Sequence, residues 1–156
     1  MKRLFLVDAY ALMFKYYYAF LGRPMRNHRG MNTSVVFGFV KFLRDIQKRE
    51  KPDLLGVAFD PKGGSFRNQM FADYKANRKP APPDFYAQIP YLMELLEAFN
   101  IPLYEFDDYE ADDIIGTLAR SAQSKGVRAE IISGDLDMLQ IVDDNAHMWR
   151  ILKGFS

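Results

Sequence analysis

The 156-residue chain predicts an α/β fold: a central, mostly parallel, twisted sheet with helices on both faces, spanning residues 1–156 as a single domain. Three observations predict it. The apolar runs LFLV before Asp8, LLGVAF before Asp60 and AEIIS before Gly134 are continuous, as expected of buried strands with apolar neighbours on both sides. Between the first two runs lies a stretch of helical period, and a strand, helix, strand order implies a right-handed parallel crossover. Each run stops at an acid or just before one, which places carboxylates at the strand ends where open α/β sheets form their crevice.

The elements follow in order. After the first strand, AYALMFKYYYAF is aromatic-rich and too crowded for a simple surface helix, and RPMRNHRGMNT reads as a basic loop. Thr33 or Ser34 can cap a helix whose apolar positions Val35, Val36, Phe39, Val40, Leu43 and Ile46 keep the helical period, with Lys41, Arg44 and Lys48 opposite. It ends near Lys51 and Pro52, and Leu54 to Phe59 forms the second strand. Residues 61 to 84 are polar, basic and punctuated by glycine and proline, a length that marks a functional loop, with FRNQMFADYKANR able to form a helix inside it. Phe85 to Phe99 reads as one helix and Ile101 to Phe106 as a short strand or extended link. Glu110 to Lys125 is the clearest helix, striped by Ala111, Ile114, Ile115, Leu118, Ala119 and Ala122 and ended by Gly126. A strand from Ala129 to Ser133, a short helix from Leu136 to Val142 and a strand from His147 to Leu152 complete the chain. Phe5, Phe14, Phe37, Phe39, Phe59 and Phe99 fall at positions expected of a core.

Composition narrows the functions. Hydrophobic residues make up 49%, charged ones 26% and aromatics 15%, and there is no cysteine, which excludes disulfides, thiolate zinc sites and cysteine nucleophiles. No apolar run approaches the roughly 20 residues that cross a bilayer, and Asp8 interrupts the apolar start, unlike a secretory signal. A cytoplasmic protein with no membrane partner is the expectation. The net charge of +1 hides a polarity: residues 1 to 80 carry sixteen Lys and Arg against six Asp and Glu, and residues 81 to 156 carry five against fourteen. A basic track leading to an acidic pocket suits a polyanionic substrate.

Seven carboxylates stand in four separated clusters: Asp8, Asp60, Glu110 with Asp112 and Asp113, and Asp135 with Asp137. Gathered at one sheet edge they would repel one another and lose hydration, unless a cation such as magnesium or manganese compensates. Two such ions about 3.5 to 4 Å apart can orient an attacking hydroxide and steady a leaving oxygen, with a few carboxylates per ion. Each acid also has a plainer use. Asp8 and Asp60 alone suit turns or caps, the three acids at 110 to 113 favour a helix N-terminus, and Asp135 can cap the short helix that follows. Three acids within four residues, preceded by Asp107 and Asp108, exceed what capping needs. Tyr74, among polar neighbours, offers a ring for an unpaired base, while His28 and His147 lack any serine constellation that would make a triad.

Taken in order, VDAYALMFKYYYAF, GVAFDPKGGSFR, YKANRKPAPPDF, YEADDIIGTLA and ISGDLDMLQIV resemble the N-terminal 5′-3′ exonuclease domains of bacterial DNA polymerases I, within the flap endonuclease family of PIN-like fold. The resemblance runs from about residue 4 to the end. It implies metal ligands, direct or through water, at Asp8, Asp60, Glu110, Asp112, Asp113, Asp135 and Asp137 for a magnesium or manganese two-ion site. It implies catalytic, charge-offsetting roles for Lys75 and Arg78, with Arg67, Tyr74 and Lys79 as further DNA contacts, in a segment that arches over the site in relatives. The substrate implied is DNA with a 5′ flap or a 5′ single-stranded end, in replication and repair. Ala9 stands where relatives often have glycine and Lys15 where an arginine is common.

The resemblance further implies that relatives continue into a helical module gripping duplex DNA and into two more aspartates of the second metal site. Ending at Lys153, Gly154, Phe155 and Ser156, this chain reads as cut before that module. The second ion is then incompletely held, and a polymerase domain is a candidate continuation of the parent chain. Two alternatives stand beside a nuclease: a folded but catalytically incomplete fragment that binds metal or DNA, and a phosphotransfer receiver domain, which also gathers aspartates around magnesium.

Overall fold

The structure, a computed structural model, describes residues 1–61, 81–134 and 136–150, with the backbone alone for Leu136 and Asp137. The chain runs β1 (Arg3–Asp8), α1 (Ala9–Ala19), α2 (Ser34–Arg49), β2 (Leu54–Ala58), α3 (Pro83–Tyr86), α4 (Ile89–Ala98), β3 (Leu103–Tyr104), α5 (Ala111–Ser124), β4 (Arg128–Ser133), a 3-10 helix (Leu136–Ile141) and β5 (Ala146–Arg150). Among the described residues all four strand pairings are parallel and the order is β3-β2-β1-β4-β5. β1 is thus the centre, and its two neighbours, β2 and β4, lie far apart in sequence. A sheet wound outward in both directions from its middle has its crevice where the two halves part, between β1 and β4.

Helices cover both faces, as the continuous apolar runs require. On one face Phe5 and Val7 of β1, Val57 and Phe59 around the end of β2, and Ile132 of β4 pack against Leu12, Met13, Phe39, Leu43, Phe85, Leu92 and Leu96 of α1 to α4. On the other, Leu6, Ala58, Ala129 and Ile131 meet Ala111, Ile114, Ile115 and Ala119 of α5, with Met138 of the 3-10 helix. Each large side chain so buried stabilises the fold by roughly 1.5–3 kcal/mol. Gly38 allows α1 and α2 to approach: a Cβ there would lie 2.2 Å from Cγ of Tyr16. Gly126, at φ +71°, turns the chain out of α5 where the sequence places its end.

Two expectations hold in a sharper form and two need correction. AYALMFKYYYAF, too crowded for a simple surface helix, forms α1, which buries Ala9, Leu12, Met13 and Tyr17. The single helix expected over Phe85 to Phe99 is two, α3 and α4. The chain is redirected at Ala87 and Gln88, and Pro90 sits in the first turn of α4, where its missing N–H costs nothing. Phe37 and Phe99 are not core residues; they are 45% and 52% exposed. The short strand or extended link expected at Ile101 to Phe106 pairs as a strand at Leu103–Tyr104. The loop of 61 to 84 lies outside the described residues from 62 to 80. No described helix is long and apolar enough to cross a membrane.

Candidate functional site

The β1/β4 parting carries a hydrogen bond between residues 125 positions apart: Ser133 Oγ, at the last residue of β4 and fully buried, donates to Asp8 Oδ2 at 2.9 Å. Asp8 ends β1 and caps α1, its Oδ1 accepting from Ala11 N at 3.4 Å. Two residues beyond β2, Asp60 Oδ1 accepts from Ala111 N at 2.8 Å, which fastens the end of that strand to the start of α5. There the helix dipole favours negative charge. Glu110 is the N-cap of α5 and only 2% exposed, and Asp113 Oδ2 accepts from Glu110 N at 3.0 Å, the reciprocal half of a capping box. The ends of β1, β2 and β4 and the start of α5, distant in sequence, are therefore tied at one corner by the acids themselves.

The electrostatics of that corner are unbalanced. Burial pushes the Asp8 carboxyl from 3.8 up to about 7, the nearby charges of Asp60 and then Asp112 push the same way, and the bonds from Ser133 and Ala11 offset only part. Asp8, Asp60 and Asp112, from three of the four clusters, thus share one field. The plain reading holds as well, since Asp8, Asp60 and Asp113 each accept a backbone amide at a helix start. Capping needs only the lone pairs, whereas Asp8 is raised by burial first and then by the charges of Asp60 and Asp112, which caps do not explain. An all-oxygen donor set with surplus charge fits a hard divalent cation such as magnesium or manganese. Among the described residues, no three acids or histidines close on one point as a finished cage.

Asp135, Arg67, Tyr74, Lys75, Arg78 and Lys79 lie outside the described residues, as does the side chain of Asp137, whose backbone lies in the 3-10 helix directly after β4. His147 lies in β5, 3.5 Å from the buried Glu130, which also accepts from Arg128 and Trp149; this group is apart from the strand-end acids. Sequence reasoning missed Ser133, although a serine closing an apolar run immediately before Gly134 and Asp135 was its signal. It also missed Tyr10. Beside the corner, Tyr10, Asp60, Pro61, Tyr86, Met93 and Glu105 line a cavity of about 590 Å³. Burial first, then Asp60 and Glu105, push the Tyr10 hydroxyl up to about 12, so it is a hydrogen-bond donor at neutral pH.

Residues 3–155 match the model of the family described as 5′-3′ exonuclease, N-terminal resolvase-like domain. DNA polymerase I of Chloroflexus aurantiacus is 43% identical over 145 residues, which cover 93% of this chain and 15% of that protein. DNA polymerase I of Bacillus subtilis is 40% identical over 156 residues, covering 99% and 17%. The chain thus spans about a sixth of the length of these curated relatives. Among solved structures, T5 5′-exonuclease with bound zinc superposes with a TM-score of 0.70 at 18% identity, over 96% of this chain and 55% of that one. The bacteriophage T5 flap endonuclease, in a complex with DNA and metal ions, superposes with a TM-score of 0.72 at 17% identity over the same shares. The shared architecture is the PIN-like α/β sheet expected from the motifs.

Proposed function

The chain belongs to the 5′-3′ exonuclease N-terminal, resolvase-like domain family, and from that premise we propose that it is the metal-dependent part of a nuclease hydrolysing DNA phosphodiesters at 5′ flaps and 5′ single-stranded ends. The observation that carries the reading is Asp8, buried between Asp60 and Asp112 at the parting of the sheet with its carboxyl raised to about 7. A site for a divalent cation is the chemical use of such a corner. Asp8, Asp60 and Asp112, with Glu110, Asp113, Asp135 and Asp137, would hold magnesium or manganese in a two-ion arrangement. When bound, the ions supply positive charge to the scissile phosphate and Lewis acidity to its oxygens.

The chain's own residues supply the rest. Ser133 and Ala11 fix the Asp8 carboxylate so that both oxygens keep one orientation. Ala111 N does the same for Asp60, which keeps the crevice walls from parting as charge enters. Tyr10 stays protonated beside Asp60 and can donate to a substrate oxygen without adding charge. Lys75 and Arg78 would offset the charge that grows on the phosphate in the transition state, and Arg67, Tyr74 and Lys79 would steer the unpaired strand. DNA replication and repair in the bacterial cytoplasm, with a polymerase domain in the parent chain, belong to the same proposal, which the two polymerase relatives support.

The testing experiment is cleavage of a 5′-flap DNA with magnesium or manganese, by this chain and by a version extended to the length of the T5 nucleases. Cleavage that needs the ion and disappears in Asp112→Ala is the expected result; an extended chain that cuts without added metal overturns the reading. A second reading, a folded but incomplete fragment with the second ion imperfectly held, is favoured by one fact: the chain covers 55% of the T5 exonuclease. It expects cutting by the extended chain alone. Lys75→Ala is expected to slow cleavage while leaving metal affinity intact, which equilibrium titration with manganese would check. The family match leaves no place for the receiver-domain alternative.

A further inference from the structure

On the side of α2 turned away from the sheet, Val36, Phe37, Val40, Lys41, Arg44, Asp45 and Lys48 form, with Leu95 of α4, an open groove of about 640 Å³. It shares no residue with the acid corner. Two adjacent helical rows build it. Val36 and Val40, four residues apart, face Leu95 and make an apolar floor, while Phe37, Lys41, Arg44 and Lys48 follow one another at steps of four, three and four along the neighbouring row. Phe37 holds its edge against Phe20, with ring centroids 6.2 Å apart, and still leaves 45% of its surface in water. Among the described residues none of Lys41, Arg44 and Lys48 is in an ion pair, so the cations are not used to hold the fold together.

We propose that this groove docks a short, acidic, amphipathic helix of a protein partner. Its length follows from the row: eleven residues separate Phe37 from Lys48, about 16 Å or three helical turns at 1.5 Å per residue. Its composition follows from the two rows. Leucine or phenylalanine on one face would cover Val36, Val40, Leu95 and the open ring of Phe37, and aspartate or glutamate three and four residues apart would face the three cations. A DNA backbone meets the cations equally well but leaves the apolar floor and Phe37 uncovered, and that floor favours the peptide. Burial first and then Asp45, the acid of the lining, raise the Tyr16 hydroxyl, so Asp45 acts toward α1 as well as the groove.

The test is fluorescence anisotropy and amide NMR on the whole chain with a labelled helical peptide of about twelve residues, leucine and phenylalanine along one face and aspartate and glutamate beside it. The expected result is binding, with shifted amides in α2 and around Leu95, weakened about tenfold by Arg44→Glu and about fivefold by Phe37→Ala, and weakened by salt. Both positions are exposed, so both variants keep the wild-type unfolding midpoint, and a peptide with its acids replaced by asparagine and glutamine loses affinity. Failure of the peptide to bind, or binding that neither variant changes, overturns the proposal. Displacement of the peptide by a short DNA duplex whose own affinity is lowered by Arg44→Glu but not by Phe37→Ala also overturns it, making this face a nucleic-acid track.

Discussion

Asp8 and Asp84 each take two side-chain or backbone hydrogen bonds, and their carboxyls move in opposite directions. Asp84, in α3, accepts from Tyr17 Oη at 2.7 Å and from Asn32 Nδ2 at 3.0 Å, and those two bonds, Asn32 first, hold it below its ordinary value, with Arg26 nearby in the same sense. Asp8 accepts from Ser133 and Ala11, but burial and two like charges outweigh the bonds and lift it to about 7. The difference separates a carboxylate that the fold satisfies from one that the fold holds for something else. Asp84 joins α1, the loop before α2 and α3 into one neighbourhood, with Gln88 beside it accepting from Val35 N and donating to the Asp84 carbonyl. Asp8 joins the end of β4 to the start of α1 through Ser133 and Ala11, and burial, then Asp60 and Asp112, keep its carboxyl raised.

That contrast can be broken by mutation. The largest effect is expected for Asp112→Ala in the extended chain, a loss of the proposed cleavage of at least ~100-fold with the unfolding midpoint unchanged or raised. Unaltered rates in a flap assay would remove Asp112 from the site. Asp84→Ala is expected to do the reverse, costing about 2–3 kcal/mol of stability by leaving Tyr17 and Asn32 unpaired. The sign in pH follows from its lowered value: the stability Asp84 contributes is whole above 3.8 and is lost as the pH falls through its folded-state value, so wild type and variant converge in acid. Denaturant titrations from neutral pH downward would read this, and a constant gap would refute it.

Asp8→Asn is expected to stabilise the metal-free chain on the order of 2 kcal/mol at pH 8. Here the folded value is raised, so between 3.8 and about 7 the folded state keeps a proton that the unfolded state has released, and wild-type stability falls as the pH rises through that window. The variant lacks the slope, and millimolar magnesium is expected to raise the midpoint of wild type but not of Asp8→Asn, as differential scanning fluorimetry would show. Smallest is Tyr17→Phe, a loss of about 1 kcal/mol at neutral pH that is absent when Asp84 is already Ala.

Much of the architecture was legible because burial writes directly into pattern. β1, β2 and β4 are continuous apolar runs, and α2 and α5 keep a 3.6-residue stripe, so their places follow from period alone. α1 resisted the same method: with Tyr10, Phe14 and Tyr16 partly covered as well as Leu12, Met13 and Tyr17, it has no polar side to set a period. The break between α3 and α4 depends on Gln88 reaching 53 residues back to α2, which no local pattern records. In the site, the strand-end acids were legible one by one, and Asp8, Asp60 and Asp112 do share a corner. The support from Ser133 and the cavity beside Tyr10 arise only from the order of strands in the sheet.

The bond from Ser133 to Asp8 also has a meaning in time. Its partners are 125 residues apart, and a ribosome adding about 5–20 residues each second completes the second roughly ten seconds after the first. Through that interval the nascent chain owns its central strand and one wall of the crevice but not the other. The acid corner therefore cannot assemble before residue 133 has been made, however early β1 and β2 are in place.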